Sequence, residues 1–357
     1  MRPVSIRGRG AAHDPPNRFE VLHVEPDPEV PTGDPEDEHV GPLTRFYRDA
    51  TRSIIATNDS PDIPFGASLN PYRGCEHGCI YCYARPTHEY LGFSAGLDFE
   101  SRILVKVDAP ELLRDALSAR GWKPQVIAIS GVTDPYQPVE RRLALTRRCL
   151  EVLAEFRNPV SIITKNHLVT RDADVLERLS AHDCALVNIS VTTLDNRLHH
   201  VMEPRTSVPA KRLAAIEAFA RRGIPVRVMV APIIPGLTDH EIPRVLEACR
   251  DAGALGAGYV ALRLPHAVAP LFEDWLDRHF PERKQKVLNR VRSIRGGRLN
   301  DPRFGDRMRG EGPFADQIRS LFRATCRRLC LNERNFSLNT AAFRRPARGS
   351  QLGFFDE

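Results

Sequence analysis

Residues 75–82 read Cys75-Glu76-His77-Gly78-Cys79-Ile80-Tyr81-Cys82, which places three cysteines within eight residues at the spacing C-x3-C-x2-C. Thiolates this close in sequence can converge on one metal centre. A structural zinc site normally takes four protein ligands, often as two distant C-x2-C pairs, and this chain has no second such pair. Three thiolates instead suit a cubane of four irons with one iron left open, since iron–sulfur clusters usually take cysteine ligands. We therefore predict that Cys75, Cys79 and Cys82 bind a cluster; a zinc knuckle or a redox-sensitive cysteine group is the alternative.

The residues around this loop carry a family resemblance. The pattern C-x3-C-x-aromatic-C, with Tyr81 at the aromatic position, resembles the signature of the radical S-adenosylmethionine (SAM) superfamily. Residues 70–85 (Asn-Pro-Tyr-Arg-Gly-Cys through Cys-Tyr-Ala-Arg) and 133–138 (Thr-Asp-Pro-Tyr-Gln-Pro) are similar to its spore photoproduct lyase-related branch. The resemblance covers roughly residues 50–300.

The resemblance implies two cofactors, a 4Fe–4S cluster and SAM. Cys75, Cys79 and Cys82 would hold three irons, and the fourth iron would chelate the amino and carboxylate groups of SAM. One electron from a donor would cleave the sulfonium, and the resulting 5′-deoxyadenosyl radical would abstract hydrogen from the substrate. In such an enzyme the cofactors carry the chemistry, while the protein supplies orientation and excludes side reactions.

The chain around the cysteines alternates short apolar runs with helical patterns. Repeated strand–helix alternation implies a parallel sheet with right-handed crossovers, and six units fit a partial (βα)6 TIM-like barrel in the α/β class. The resemblance implies the same fold. The strands of the six predicted units lie at residues 67–70, 126–130, 160–164, 186–191, 226–230 and 259–263.

Candidate SAM contacts follow the second, third and fourth strands. In βα barrels the loops at the carboxyl ends of the strands carry the site. Thr133 and Asp134 occupy the place where relatives have a Gly/Glu-type motif for the SAM amino group, although an Asp-Pro pair also starts turns without a ligand. Lys165 is a candidate for the SAM carboxylate, and Ser190 for the ribose or carboxylate. The alternatives are that Lys165 is a charge exposed to solvent and that the Ser190 hydroxyl makes only structural hydrogen bonds.

Two further stretches complete the candidate cofactor site. Pro232 and Ile233, in a Gly-containing apolar loop after the fifth strand, resemble the adenine-contact motif of the family; a rigid proline loop is the alternative. Tyr81 is also a candidate cofactor contact, because it fills the aromatic position between Cys79 and Cys82. The loop 199–205 after the fourth strand contains His199-His200 and Met202-Glu203-Pro204-Arg205. This loop either faces the site or lies on the surface.

The ends of the chain differ from its middle in composition. Residues 1–45 are rich in Pro and acid and carry few apolar residues, so we predict a disordered N-terminal segment. Residues 46–296 form the predicted radical SAM core, 297–345 a basic helical extension and 346–357 a tail. Net charge is +6, yet residues 283–348 hold 18 Lys/Arg and 5 Asp/Glu. This asymmetry indicates either a polyanionic partner or a solvated basic face.

Cysteine usage and hydropathy indicate the cellular compartment of the protein. Eight cysteines with three clustered indicate a metal site in a reducing compartment rather than a disulfide scaffold. No apolar run has the length needed to span a bilayer, and the basic N-terminus lacks the apolar stretch of a secretory signal. We therefore expect a cytoplasmic protein with no membrane partner.

The tail contains a candidate partner-binding peptide. Gln351, Leu352, Phe354 and Phe355 resemble the Gln-Leu-x-Leu-Phe peptide that bacterial repair proteins insert into the DNA sliding clamp, with Phe354 in place of the second Leu. Leu352 and Phe355 would fill apolar pockets, and a few such residues can carry most of a binding energy. The alternative is that the tail caps an apolar groove of its own barrel.

Together these features predict a radical SAM enzyme that acts on nucleic acid in a repair-like reaction and receives electrons from a donor. Two alternatives stay open. The same chemistry can act on a peptide or small metabolite, or the chain can be a non-catalytic iron–sulfur or zinc module. Formation of 5′-deoxyadenosine from SAM separates the enzyme from the module.

Overall fold

The computed structural model describes residues 6–19, 43–334 and 336–346. Its strands, in chain order, are β1 (Arg45–Arg48), β2 (Ile55–Thr57), β3 (Ala67–Leu69), β4 (Tyr72–Arg73), β5 (Arg102–Val105), β6 (Ile127–Ile129), β7 (Val160–Thr164), β8 (Ala185–Ser190), β9 (Val226–Ile233) and β10 (Gly256–Ala261).

The α-helices connect these strands and follow the last one. They are α1 (Leu97–Ser101), α2 (Ala109–Ser118), α3 (Glu140–Leu143), α4 (Leu145–Phe156), α5 (Ala173–Ser180), α6 (Asn196–Met202), α7 (Pro209–Arg221), α8 (Ile242–Asp251), α9 (Val268–His279), α10 (Pro281–Ser293), α11 (Asp306–Arg309) and α12 (Pro313–Arg328). Short 3-10 helices lie at Arg85–Leu91, His167–Asp172 and Asp239–Glu241.

A seven-stranded main sheet organises the fold. Its strand order is β10-β9-β8-β7-β6-β3-β2. Strands β3, β6, β7, β8, β9 and β10 are parallel, and β2 pairs with β3 in the antiparallel sense. Within the described part of the chain, β10 and β2 are the two edges and do not pair, so the sheet is open. The predicted partial (βα)6 TIM-like barrel is confirmed, with all six predicted strands present.

The two faces of the main sheet have different environments. Strand β7 shows the pattern, because Val160, Ile162 and Thr164 are buried while Ser161 and Ile163 between them are half-buried. The buried face packs against the connecting helices in the large core cluster. Burying a Val or Ile side chain stabilises by about 1.5–3 kcal/mol, so this face fixes the sheet. The opposite, inner face carries both Ser161 and Ile163 on this strand, so it is mixed in polarity.

A second, three-stranded sheet supports the cysteine loop. Its order is β1-β5-β4, with β1 parallel and β4 antiparallel to β5. Its buried side chains Tyr72, Ile103 and Val105 form a small core of their own. Because β4 ends two residues before Cys75, this sheet fixes the start of the loop.

Part of the N-terminal segment departs from the prediction of disorder. Residues 6–19 pack against the core, and Ala11 is buried in an apolar cluster with Cys79 and Ile80. The prediction fails here because polar groups make most of the contacts: Gly10 N and Ala11 N donate to Glu100, and the Arg18 guanidinium pairs with Glu89. Residues 1–5 and 20–42 lie outside the described residues, so the boundary at residue 45 stays a prediction.

The basic helix near the C-terminus belongs to the main core. The helix expected in the extension is α12, and Ile318, Phe322 and Cys326 on its apolar side pack into the main core cluster. The ring of Phe322 lies 4.7 Å from that of Tyr259 on β10. The clamp-like residues Gln351, Leu352, Phe354 and Phe355 lie outside the described residues. In the described ranges, no helix combines the length and apolar character that a membrane span needs.

Candidate active site at the carboxyl ends of the strands

The cysteine loop follows β3 and β4, at the carboxyl end of the main sheet. Its backbone is held at two distant points, since Cys75 N donates to Phe99 O at 2.8 Å and Ile80 N donates to Met202 O at 3.1 Å. Gly78, between the first two cysteines, has φ +66°. Glycine adopts that backbone region more readily than residues with a Cβ, so Gly78 allows the loop to turn between Cys75 and Cys79.

The three thiols lie within electrostatic range of one another. Cys75 and Cys79 are buried and Cys82 is half-buried. Burial raises the pKa of the Cys75 thiol well above its usual value, and the charges of Asp134, Cys79 and Cys82 raise it further. Metal coordination reverses this preference, because a coordinating thiol is deprotonated outright. Three neighbouring soft donors therefore fit an iron–sulfur cluster.

In the described part of the chain, the three loop cysteines do not by themselves form a site for a single metal ion. Among the residues that the structure describes, no three or more His, Cys, Asp or Glu side chains are placed to hold one ion.

The loop 133–138 is tied to the cysteine loop by one amide and one carboxylate. Gln137 accepts from Glu76 N through Oε1 at 2.9 Å and donates from Nε2 to Gly74 O at 3.3 Å. Glu76 Oε2 accepts from Val139 N at 2.8 Å. The two strings that carry the family resemblance thus form one hydrogen-bonded unit, which sequence alone did not join.

Asp134 joins the cysteine loop to β7. Its carboxylate accepts from Thr164 Oγ1 at 2.7 Å and from Lys165 N at 2.8 Å, and lies 3.4 Å from His77 Nδ1. Burial raises the pKa of Asp134, but His77 and these hydrogen bonds outweigh burial and hold it at about 2. Asp134 therefore stays ionised, with both oxygens engaged inside the protein. It positions the loops and has little capacity left for a cofactor amine.

The side chains of Thr133 and Lys165 make fewer hydrogen bonds than that of Asp134. The Thr133 hydroxyl is buried and lies 3.5 Å from Asn70 Oδ1. The ammonium of Lys165 lies 3.4 Å from Ala231 O and 5.9 Å from the centre of the Tyr81 ring. In the described part of the chain no carboxylate lies within ion-pair distance of Lys165, so its charge is available to an anionic ligand.

A buried carboxylate that the sequence analysis did not select lies beneath the cysteine loop. Glu203 accepts from the hydroxyl of Tyr81, from Thr192 Oγ1 at 2.7 Å and from the guanidinium of Arg212. Burial raises the pKa of Glu203, but Arg212 and then Lys165 outweigh burial and hold it at about 2. The Tyr81 hydroxyl is thus used to fix the loop. The only sequence signal was the position of Glu203 in the loop 199–205.

The remaining predicted contacts are on β8 and β9. Ser190 is buried and lies beside Met229 in the parallel register, and its carbonyl accepts from Arg212 Nη1 at 3.0 Å. Strand β9 continues to Ile233, so Pro232 and Ile233 lie in the strand and not in a loop after it. The side chain of Ile233 is buried in the main core, which leaves only its backbone for an adenine contact. Pro232 is half-buried.

Comparisons with known proteins define the family. The family model of the radical SAM superfamily matches residues 69–249, half of the chain. An uncharacterized protein of Mycobacterium tuberculosis (strain ATCC 25618 / H37Rv) is 36% identical over 250 residues, which cover 69% of this chain and 72% of that protein. The chain therefore belongs to the radical SAM superfamily, and it is a radical SAM enzyme. Members of this superfamily use a 4Fe–4S cluster and SAM and need an electron donor.

Two further similarities are more distant. A protein of Pseudomonas phage M6 named radical SAM Nalpha-GlyT isomerase is 26% identical over 252 residues, covering 68% of this chain and 49% of that protein. The structure of spore photoproduct lyase complexed with dinucleoside spore photoproduct superposes with a TM-score of 0.56 at 15% identity, over 80% of this chain and 78% of that one. At that identity the likeness shows a shared fold.

Proposed function

We propose that this radical SAM enzyme holds its cluster through Cys75, Cys79 and Cys82 and acts on nucleic acid. The observation that carries the cluster assignment is the placement of three neighbouring thiols at the carboxyl end of a parallel sheet. Iron–sulfur clusters take cysteine thiolates as ligands, and the open face of a βα barrel at this end is where such folds bind their ligands.

The proposal assigns roles to the residues that face the cluster loop. Lys165 contributes a charge for the SAM carboxylate, and the Thr133 and Ser190 hydroxyls contribute hydrogen bonds. Asp134 positions Thr133 and Lys165 through its bonds to β7, while Tyr81 fixes the loop through Glu203. The group that contacts adenine is the backbone around Pro232 and Ile233.

A cluster held by Cys75, Cys79 and Cys82 would supply the single electron that reductive cleavage of SAM requires. The chain's own contribution is to exclude water and to hold charges fixed before the reaction. Cys79, Tyr81 and Glu203 are all buried. Preorganised charges in such a water-poor site act more strongly than in water and need no reorganisation during the reaction.

Iron content tests the cluster assignment. Protein purified without oxygen is expected to carry about four irons per chain, and the triple variant with Ala at Cys75, Cys79 and Cys82 to carry none. Cys330→Ala is the matched control, because Cys330 is an exposed thiol that should leave iron unchanged. Iron and sulfide retained by the triple variant, or stoichiometric zinc in the natural protein, would overturn the assignment.

The nucleic-acid part of the proposal is supported by the basic surface of the C-terminal helices. Arg323 and Arg327 on α12 are exposed, and in the described part of the chain neither has an acidic partner. Phosphate neutralisation by such residues releases counterions, so affinity falls steeply with salt. The structure also guides the test: α12 belongs to the core, so charge substitutions are preferable to deletion.

We expect Arg323→Gln and Arg327→Gln together to lower oligonucleotide affinity and to reduce the salt slope by about two. Arg120→Gln, which removes an exposed arginine after α2 that is not on the C-terminal helices, is the control. An affinity that does not change with salt would contradict the phosphate contacts. Transfer of deuterium from labelled nucleic acid into 5′-deoxyadenosine tests the reaction; transfer only from a peptide or small metabolite would assign the substrate to that class instead.

The tail adds a proposed partner, the DNA sliding clamp. Sequence alone supports this partner, through Gln351, Leu352, Phe354 and Phe355. Calorimetry of the peptide of residues 344–357 against purified clamp is the test, with Leu352→Ala and Phe355→Ala as controls. If the natural peptide does not bind at about 100 μM, near −5.5 kcal/mol, the clamp proposal fails and the self-capping alternative stands.

A reducing compartment such as the cytoplasm is the proposed setting. All eight cysteines are free thiols in the structure, and disulfides are rare where cellular thiols are kept reduced. Protein isolated from the cell with its thiols blocked at lysis should show no disulfide by mass spectrometry, and a disulfide would contradict the setting.

A further inference from the structure

Where the main sheet stays open, side chains that follow β10 meet side chains of the loop before β3 and of the cysteine loop. Arg263 follows β10, and its guanidinium lies 4.4 Å from the centre of the ring of Tyr83, the residue after Cys82. Arg307 on α11 donates from Nε to Asp62 at 2.5 Å, in the loop before β3. We call the region lined by Tyr83, Arg263, Phe304 and Arg307 the lateral opening.

Arg263 is an unusual arginine within this opening. It is half-buried, and its Nε is fully buried with no hydrogen-bond partner in the described part of the chain. The structure likewise gives it no ion pair there, whereas Arg307 is bonded to both Asp62 and Ser60. A buried N–H without a hydrogen-bond partner is costly, and an unsatisfied group of this kind calls for a ligand or a functional role.

Electrostatics place Arg263 close to the cysteine loop. Burial lowers the pKa of Arg263, the Tyr83 phenol raises it, and Arg307 lowers it again. The Cys82 thiol and the Asp62 carboxylate, which is bonded to Arg307, are also near enough to raise that pKa. The opening therefore carries excess positive charge within electrostatic range of the last predicted cluster ligand.

Two aromatic rings in the opening are exposed to solvent. Tyr83 is 46% exposed and Phe304 is 60% exposed, which is high for such large apolar side chains. The Tyr83 hydroxyl donates to Gly131 O at 2.5 Å, which fixes the ring, and Arg307 lies 4.5 Å from the centre of the Phe304 ring. Each ring has an arginine within cation–π distance.

We propose that the lateral opening binds an unpaired stretch of nucleic acid, with bases stacked on Phe304 and Tyr83 and a phosphate held by Arg263. Single-stranded nucleic-acid sites combine aromatic stacking platforms with positive charge along the backbone path. Guanidinium is well suited to phosphate because it presents several donors in one plane. This inference rests on the proposed nucleic-acid substrate and specifies the route by which it reaches the cysteine loop.

The test measures binding of a fluorescently labelled single-stranded DNA oligonucleotide and of the duplex of the same sequence, by anisotropy on cluster-loaded protein. The natural protein is expected to prefer the single strand. Phe304→Ala should weaken single-strand binding about tenfold, which is about 1.4 kcal/mol, and Phe304→Tyr should restore it. Arg263→Gln should weaken binding and reduce the salt slope by about one, and Arg263→Lys should retain the slope.

Matched controls lie elsewhere on the surface. Tyr90→Ala removes an exposed aromatic ring, 73% exposed on the 3-10 helix Arg85–Leu91, and Arg120→Gln removes an exposed charge; neither should change the preference. Circular dichroism of each variant separates lost binding from lost folding.

The possible outcomes separate this inference from the proposed function. If oligonucleotide binds with a salt dependence that Phe304→Ala and Arg263→Gln leave unchanged, the opening is not the site, while a nucleic-acid substrate stands. An equal affinity for single strand and duplex would equally overturn the inference. If SAM is cleaved to 5′-deoxyadenosine but no oligonucleotide binds, the proposed substrate fails and the inference fails with it.

Discussion

Gly10→Ala offers a direct test of how the N-terminal segment supports the cysteine loop. A Cβ on residue 10 would lie 1.9 Å from the carbonyl oxygen of Gly78, between the first two predicted cluster ligands. The obstructing atoms are backbone, which cannot swing aside as a side chain does. The segment must therefore shift away from the loop.

The size of the effect follows from the contacts that this shift breaks. Gly10 N and Ala11 N donate to the carboxylate of Glu100 at 3.1 and 2.9 Å, and that carboxylate is fully buried and paired with Arg85. A hydrogen bond to a charged group contributes about 1.5–3 kcal/mol, and overpacking alone costs about 1–3 kcal/mol. Since relaxation recovers part of this loss, we expect the free energy of unfolding to fall by about 3 kcal/mol.

Urea denaturation of the cluster-free protein, followed by far-UV circular dichroism, measures this change as a shift of the midpoint. Gly121→Ala is the matched control, because no atom lies within 4 Å of a Cβ built there. We also expect Gly10→Ala to lose iron faster than the natural protein in air, since the shift reaches Gly78. Equal midpoints for the two alanine variants would refute the role of the segment.

Three further predictions concern buried charges and the cofactor. Burial lowers the pKa of His88 from 6.5 to about 4. Between these two pH values the unfolded chain therefore binds more protons than the folded protein. The free energy of unfolding should fall by about 3 kcal/mol as the pH drops from 6.5 to 4. His88→Phe should flatten that part of the stability profile, and parallel profiles would contradict the assignment. Arg212→Gln leaves Glu203 buried without its cation and should lower the free energy of unfolding by about 3–5 kcal/mol. The control is Arg221→Gln, in an exposed ion pair on the same helix, which should lower it by less than about 1 kcal/mol. Similar losses for the two variants would show that burial of the pair does not matter here. Lys165→Gln should weaken SAM binding about tenfold in equilibrium dialysis, the size expected for one lost bond to a charged group, with iron content unchanged; unaltered binding would remove Lys165 from the SAM site.

The six strands of the βα units were predictable because their signals are local, whereas β2 and the strands of the three-stranded sheet were not predicted. The alternation of buried and half-buried residues, as in Val160 to Thr164, is set by the period-2 geometry of a strand and is visible in any short window. The spacing of Cys75, Cys79 and Cys82 is equally local, because eight consecutive residues hold the whole donor set. Placing the loop at the carboxyl end of the sheet then needed only the general rule for βα barrels.

Residues that act through partners far along the chain were not predictable in the same way. Glu203 meets Tyr81 across 122 positions, and Gly10 meets Glu100 across 90. Neither residue has a sequence pattern that marks it, since a single Glu or Gly is common in loops. Ile233 shows the opposite error: a motif suggested a site residue, while strand geometry directs its side chain into the core.

The sequence by itself thus determined the open parallel barrel and the close spacing of the three predicted cluster ligands, because periodicity and close spacing are properties of neighbouring residues. Only the tertiary structure decided that the N-terminal segment packs on the cysteine loop, that Asp134 is occupied by its neighbours, and that Arg263 lies beside Tyr83 without an acidic partner in the described part of the chain. The physical reason is that hydrogen bonding, burial and charge pairing depend on distance in space, and folding brings together groups that the linear chain keeps far apart.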